Sequence, residues 1–196
     1  MKKIIIAFVF ILITGVASMG QTHRLWIGAG GFFQGGSMNE ADPGVAISAQ
    51  YGFEKSLSGK WAIMPGIGYE ELSEGFFDSS KDGVNRDDFS NVNVFLSAVY
   101  KLPSSGFMTR IGVGPQVSID TRREKFYIDS NPEDPMNNLS KFKKTDVGLK
   151  AFVMFDTGKR FFWGAQAFIG LKDIRSSAVA GSAKVRTVAL IVGIKL

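Results

Sequence analysis

The chain has no cysteine and a single histidine, His23, among its 196 residues. Without cysteine, disulfides, thiolate metal sites and thiol catalysis are all excluded. One histidine leaves little room for acid–base chemistry near neutral pH. No apolar run reaches the ~20 residues that a membrane-spanning helix needs. Charge of one sign is also scarce. The 23 basic residues less Lys2 and Lys3 leave 21 against 18 acidic, a net of +3. That bias is too weak to imply a nucleic-acid partner.

What is present begins with an export signal. Lys2 and Lys3 precede the apolar segment Ile4–Ile13, and the small residues Ala17, Ser18 and Gly20 follow it. This order predicts a signal peptide over residues 1–20, cut after Gly20, and one domain over residues 21–196. The apolar segment is too short to serve as an anchor.

Period-2 alternation then predicts eight strands. They run over about Arg24–Gln34, Gly44–Glu54, Lys60–Glu71, Asn91–Leu102, Phe107–Asp120, Thr145–Asp156, Arg160–Asp173 and Lys184–Leu196. Each is long enough to cross a bilayer when tilted. One face of each strand is apolar at its middle, as in Val147, Leu149, Ala151, Val153 and Phe155. The other face mixes glycine, polar groups and charge, as in Asp146, Gly148, Lys150, Phe152, Met154 and Asp156. A water-soluble barrel needs its charge outside. Charge on the mixed face alone therefore predicts that face inward and the apolar face towards lipid. The predicted fold is all-β, an eight-stranded antiparallel up-and-down transmembrane β-barrel. Closure leaves no backbone donor or acceptor unpaired in hydrocarbon.

The inward face is rich in glycine, which makes room for Phe32, Met64, Phe95, Phe152 and Phe168. Its charges are Arg24, Glu54, Glu70, Lys101, Arg110, Asp146, Lys150, Asp156, Lys172 and Lys195. A polar lumen network of Arg24, Glu70, Lys101, Arg110, Asp146, Lys150 and Lys172 follows, because buried charge persists only when paired. Pro65 and Pro115 fall inside strands and cannot donate to the ladder, so a bulge or local break is expected beside each.

The connections set the orientation. Glu54–Lys60, Lys101–Gly106 and Asp156–Arg160 are short, whereas about Gly35–Pro43, Leu72–Ser90, Thr121–Lys144 and Ile174–Ala183 are long and polar. Short turns are expected in the periplasm with both termini, and long loops outside the cell. Tyr51, Phe53, Trp61, Tyr100, Phe107, Phe155, Phe161 and Trp163 flank the short turns in outward phase. They predict a periplasmic aromatic girdle. Phe33 and Tyr69 are candidates for a sparser outer ring.

The segments VGLKAFVMF, FFWGAQAFIGLK and the closing TVALIVGIKL carry a resemblance. The mature chain resembles the small outer-membrane β-barrel proteins of Gram-negative bacteria. It is most similar to the "outer membrane protein β-barrel domain" group common in Bacteroidetes, with its PorT-like members, and to OmpX- and OmpW-like barrels. The resemblance implies the outer membrane as location, membrane lipid as surroundings and the barrel-assembly machinery as a partner during biogenesis.

Sites of chemistry are few. His23 invites comparison with barrels that transfer or remove acyl chains, but it sits at the terminal end of strand one, so no catalytic role is expected. Asp129, Asn131, Glu133 and Asp134 are acidic, but Pro132 interrupts them and they lack a calcium loop's glycine and distal glutamate. Asp78, Asp82, Asp87 and Asp88 are similar. No metal and no cofactor is expected. Gly28–Gly36 lacks nucleotide-loop spacing and a following helix. Arg122, Arg123, Lys125, Lys141, Lys143 and Lys144 make both shoulders of one long loop basic and could pair with lipopolysaccharide phosphates. The expected function is a non-enzymatic, monomeric membrane barrel with a structural or surface-interaction role. The alternatives are a narrow channel or hydrophobic-solute transporter, and a soluble periplasmic carrier of lipocalin type.

Overall fold

The computed structural model describes residues 21–35, 42–74, 86–104, 107–126, 145–172 and 184–196. Eight strands follow one another: β1 (Gln21–Gly35), β2 (Asp42–Ser58), β3 (Trp61–Glu74), β4 (Arg86–Ser104), β5 (Phe107–Phe126), β6 (Thr145–Thr157), β7 (Phe161–Gly170) and β8 (Lys184–Lys195). Each pairs antiparallel with its neighbours in sequence. β1 closes the cylinder against β8, from Arg24↔Lys195 to Gly35↔Lys184. The order β1 to β8 forms one closed barrel.

The faces lie as alternation requires. Trp61, Leu149 and Trp163 are 52%, 46% and 52% exposed on the outer surface. Lys150 and Gln166, at 2% and 7%, are buried inside. A soluble carrier needs the opposite, and that reading ends here. An exterior this apolar is stable only against hydrocarbon.

Two of the turns owe their tightness to glycine. Ser58 pairs with Trp61, so only Gly59 and Lys60 turn the chain, with Gly59 at φ +44°. Gly158, at φ +66°, opens the connection from Thr157 to Phe161. An added Cβ would meet nothing within 4 Å at either position. The requirement is therefore conformational, and Gly158→Ala should cost about 1 kcal/mol in equilibrium unfolding. An unchanged midpoint would contradict this.

Both prolines break a ladder. β2 and β3 pair down to Gly52↔Gly66 and resume at Lys55↔Ile63, so pairing lapses at Pro65. β4 and β5 pair at Phe95↔Gln116 and again at Ala98↔Val113, so pairing lapses at Pro115. On its other side each proline keeps its partner, Leu96 and Leu149 respectively. The register is unchanged across each lapse, which makes these local breaks. Register shifts occur elsewhere, between Ser56 and Ser58 and between Ser90 and Asn91.

Several strand ends depart from the sequence reading. β4 starts at Arg86 and β5 reaches Phe126, with Asp87↔Lys125, Phe89↔Arg123 and Ser90↔Arg122 in register. Asp87, Asp88, Arg122, Arg123 and Lys125 thus belong to a hairpin wall, where the sequence reading placed long loops. The hairpin extends because backbone pairing continues past the last alternating apolar residue. β7 ends early, at Gly170.

The lumen and girdle as candidate functional site

The lumen is filled in layers. The layer nearest the short turns is ionic. Arg24 on β1 projects across the barrel, and its Nη1 donates to Asp156 Oδ1 on β6 at 2.9 Å. Its Nε lies 3.3 Å from Glu54 Oε2 on β2. Arg110 on β5 spans both carboxylates, donating through Nε to Glu54 at 2.6 Å and through Nη1 to Asp156 at 2.5 Å. Lys195 Nζ donates to Asp156 Oδ2 at 3.0 Å, and Lys101 Nζ stands 3.8 Å from Glu54 Oε1. Four cations from four strands therefore surround two carboxylates. Arg24, Glu54, Arg110 and Asp156 are buried, and Lys101 and Lys195 sit at the mouth. Strands on opposite walls are tied together, which the wall ladders alone do not achieve.

Above this lies an aromatic plug. Trp26, Phe95, Phe152 and Phe162 pack with Ala62, Met64, Val99, Met154 and Ile191. The Trp26 ring meets Phe95 at 6.0 Å and Phe162 edge-on at 6.2 Å between centroids. The Arg24 guanidinium lies 5.1 Å over the Phe162 ring, joining plug to ionic layer. Glycines opposite the rings are obligatory: a Cβ on Gly66 would sit 2.2 Å from Phe95, and one on Gly112 would sit 2.1 Å from Phe152. An eight-stranded barrel has room for little more than such packing.

A polar layer comes next. Lys150 Nζ donates to Gln50 Oε1 and, at 3.2 Å, to Gln166 Oε1, which also accepts from Trp26 Nε1 at 3.2 Å. Gln166 Nε2 donates to Ser48 Oγ at 3.2 Å. The Lys150 ammonium also lies 4.4 Å over the Phe95 ring, a cation–π contact that helps offset its burial. Glu70 accepts from Asn93 Nδ2 at 3.2 Å. Towards the long connections, Phe32, Ala46, Leu72 and Phe89 close the tube, with Val185 against them.

Most expected lumen residues lie where alternation places them. Arg24, Glu70, Arg110, Asp146 and Lys150 are buried, and Lys101 is half-buried. Lys172 is a correction: it stands exposed beyond the end of β7. Just past the strand, Leu171 N still donates to Val147 O at 2.9 Å. Past the ladder's end, alternation no longer dictates which way a side chain faces. Trp26 is absent from the expected fillers, although it sits in phase between Arg24 and Gly28.

The girdle residues face outward at the short-turn end. Trp61, Phe107, Phe161 and Trp163 are exposed, and Tyr51, Phe53, Tyr100 and Phe155 are half-buried. They touch in groups: Trp61 with Tyr100 at 4.9 Å, Phe155 with Trp163 at 4.7 Å and with Phe107 at 6.3 Å. His23 joins them, stacked on Tyr51 at 5.9 Å with Nδ1 hydrogen-bonded to the phenol oxygen at 2.5 Å. It is a half-buried girdle member, a place the sequence reading did not give it. Phe33 and Tyr69 face outward towards the other end.

Among the described residues, no three His, Cys, Asp or Glu side chains converge as a metal site. Lys141, Lys143, Lys144, Asp78, Asp82, Asp129, Asn131, Glu133 and Asp134 lie outside the described residues, as does the segment 1–20.

A closed antiparallel cylinder with an apolar, aromatic-girdled exterior and a polar, filled interior is a transmembrane β-barrel of outer-membrane type. Residues 19–176 match the family described as outer membrane protein beta-barrel domain, and the chain belongs to that family. Among solved structures it is similar to Neisserial surface protein A at 11% identity and a TM-score of 0.56, covering 91% of this chain and 100% of that one. It is also similar to Ail, the attachment invasion locus protein of Yersinia pestis, at 15% identity and a TM-score of 0.47, with 91% and 100% covered. The outer membrane protein OprG of Pseudomonas aeruginosa aligns at 12% identity and a TM-score of 0.40, with 88% and 93% covered. The likeness to Neisserial surface protein A, at that identity, shows the fold alone. No curated protein matches the chain.

Proposed function

We propose that this outer-membrane barrel is a non-enzymatic, monomeric protein with a closed lumen, acting in the envelope as a structural or surface-interaction element through its outer face and long connections. The observation that carries the reading is the stack of ionic, aromatic and apolar layers across the tube. Buried ion pairs tying opposite walls suit a rigid scaffold. His23 packs in the girdle at the short-turn end, with Nδ1 hydrogen-bonded to Tyr51.

In this reading residues 1–20 direct export, the barrel-assembly machinery inserts the domain, and the short turns and both termini face the periplasm. The girdle then marks the inner interface of the membrane. Arg122, Arg123 and Lys125 on β5, with Lys141, Lys143 and Lys144, meet lipopolysaccharide phosphates on the outer side.

Two measurements test this. In planar bilayers the folded protein should give a flat current trace. Steps from the unaltered chain would sink the closed-lumen reading. Protease applied to intact cells should cut within residues 127–144 and spare the short turns; the reverse pattern would invert the topology.

A second reading, passage of an apolar solute through the wall, is favoured by the two ladder lapses. Pro65 and Pro115 both flank Leu96 on β4, so the β3–β4 pair is loosened on its two outer sides at one level. The chain has no native cysteine, so Val94→Cys with Val117→Cys offers a clean lock on paired positions. Uptake of an apolar dye into vesicles that stops on oxidation would favour the wall route, and absence of uptake would exclude it.

A further inference from the structure

We propose that the outer face formed by β8, β1, β2 and β3 is a lipid site that holds one acyl chain and binds an ammonium headgroup on Glu71. An open groove of about 590 Å³ runs across these four strands. That lies within the ~300–1,000 Å³ typical of clefts that hold small molecules. Two adjacent rows of cross-strand partners build it. One row runs Glu71–Ile47–Ala29–Leu190, the other Tyr69–Ala49–Ile27–Val192. Ala29 and Ala49 form the floor, and Ile27, Ile47, Leu190 and Val192 stand up as exposed walls, Leu190 at 74%.

The groove is polar at one end only. Among the described residues Glu71 is the sole charged side chain lining it, and Tyr69 Oη donates to its Oε1 at 3.0 Å. Each carboxylate oxygen can accept more than one bond, so Glu71 keeps capacity for a second donor. Glu71 lies near the long-connection end of β3, whereas Leu190 lies past the middle of β8, towards the short-turn end. Strands in such barrels tilt by ~35–45°, so a row of cross-strand partners descends obliquely from one membrane interface towards the hydrocarbon interior. The carboxylate is thus placed at headgroup depth and the alanine floor at acyl depth. A bare phosphate would be repelled by Glu71. An ammonium is complementary to it, and its N–H groups match the carboxylate's acceptors. This assignment depends on the barrel standing in lipid, and the depth of Glu71 relative to the alanine floor is the same whichever end faces the periplasm.

The test is native mass spectrometry of the folded chain from nanodiscs containing phosphatidylethanolamine, phosphatidylcholine and phosphatidylglycerol with identical acyl chains. Phosphatidylethanolamine adducts should exceed their share of the mixture by up to about fivefold, the scale of one exposed ion pair. Ala29→Phe with Ala49→Phe, which fills the groove, should abolish the enrichment. Ala151→Phe, an exposed outward position on β6, should leave it intact. Glu71→Gln should keep a bound lipid and lose the preference for ethanolamine. Heat-modifiable migration on gels verifies that each variant folds. Adducts in proportion to the mixture, enrichment of phosphatidylglycerol, or equal loss with Ala151→Phe would overturn the proposal. So would a dimer that disappears when the groove is filled, which would make the face a contact between two copies.

Discussion

Asp156→Ala should destabilise the barrel by about 3–5 kcal/mol, the range for removing one partner of a buried ion pair. The carboxylate accepts from Arg24, Arg110 and Lys195 together. Its loss leaves Arg24, wholly buried, with the 3.3 Å approach to Glu54 and the Phe162 ring. Two buried arginines would then share Glu54, with Lys101 and Lys195 at the mouth. The expected result is a lower urea midpoint in vesicle-embedded protein. Adding Arg110→Met, which removes a stranded cation, should recover part of the loss. A double variant less stable than the single one would show that the network is not organised around Asp156. A loss under 1 kcal/mol would show the layer to be solvated and its pairs weak.

Leu149→Arg should be nearly as damaging, for a different reason. Leu149 is an exposed outward residue of β6, flanked across the ladder by Pro115 and Ile169. An arginine on the lipid face near the bilayer midplane costs about 2–4 kcal/mol, and the cost falls to ~0–1 near the interfaces. Leu57→Arg, at an equally outward and exposed residue beside the first short turn, should therefore cost little. The difference between the two is the measurement. It reads depth in hydrocarbon directly, because neither side chain packs in the interior. Equal, near-zero effects at both positions would mean that this face meets water, and the membrane assignment would fall.

The two predictions probe opposite faces of one wall, and those faces differ in how far they can be read from sequence. Alternation is a local property: successive side chains leave a strand on opposite sides, whatever surrounds it. The number of strands, the lipid-facing set and the aromatic girdle follow from it, and the interruptions at Pro65 and Pro115 follow from proline's missing N–H. Each depends on one strand, or on a strand and its immediate neighbour.

Other features depend on strands far apart in the chain. Glu54 and Asp156 are visible as inward charges. Their position as the shared acceptors of Arg24, Arg110, Lys101 and Lys195 follows only from closure of β1 on β8 and from the register around the ring. Trp26 plugs the tube because Gln166, 140 residues away, supplies an acceptor for its indole N–H. Lys172 keeps the inward phase yet leaves the lumen, because the β6–β7 ladder stops at Gly170. The oblique groove ending at Glu71 exists only where four strands lie side by side. Thus the sequence by itself determined an eight-stranded wall with an apolar outside and a polar inside, since period-2 alternation is written residue by residue. The tertiary structure decided which inward groups meet, where pairing ends and what fills the tube, since these depend on closure and register, which no single strand encodes.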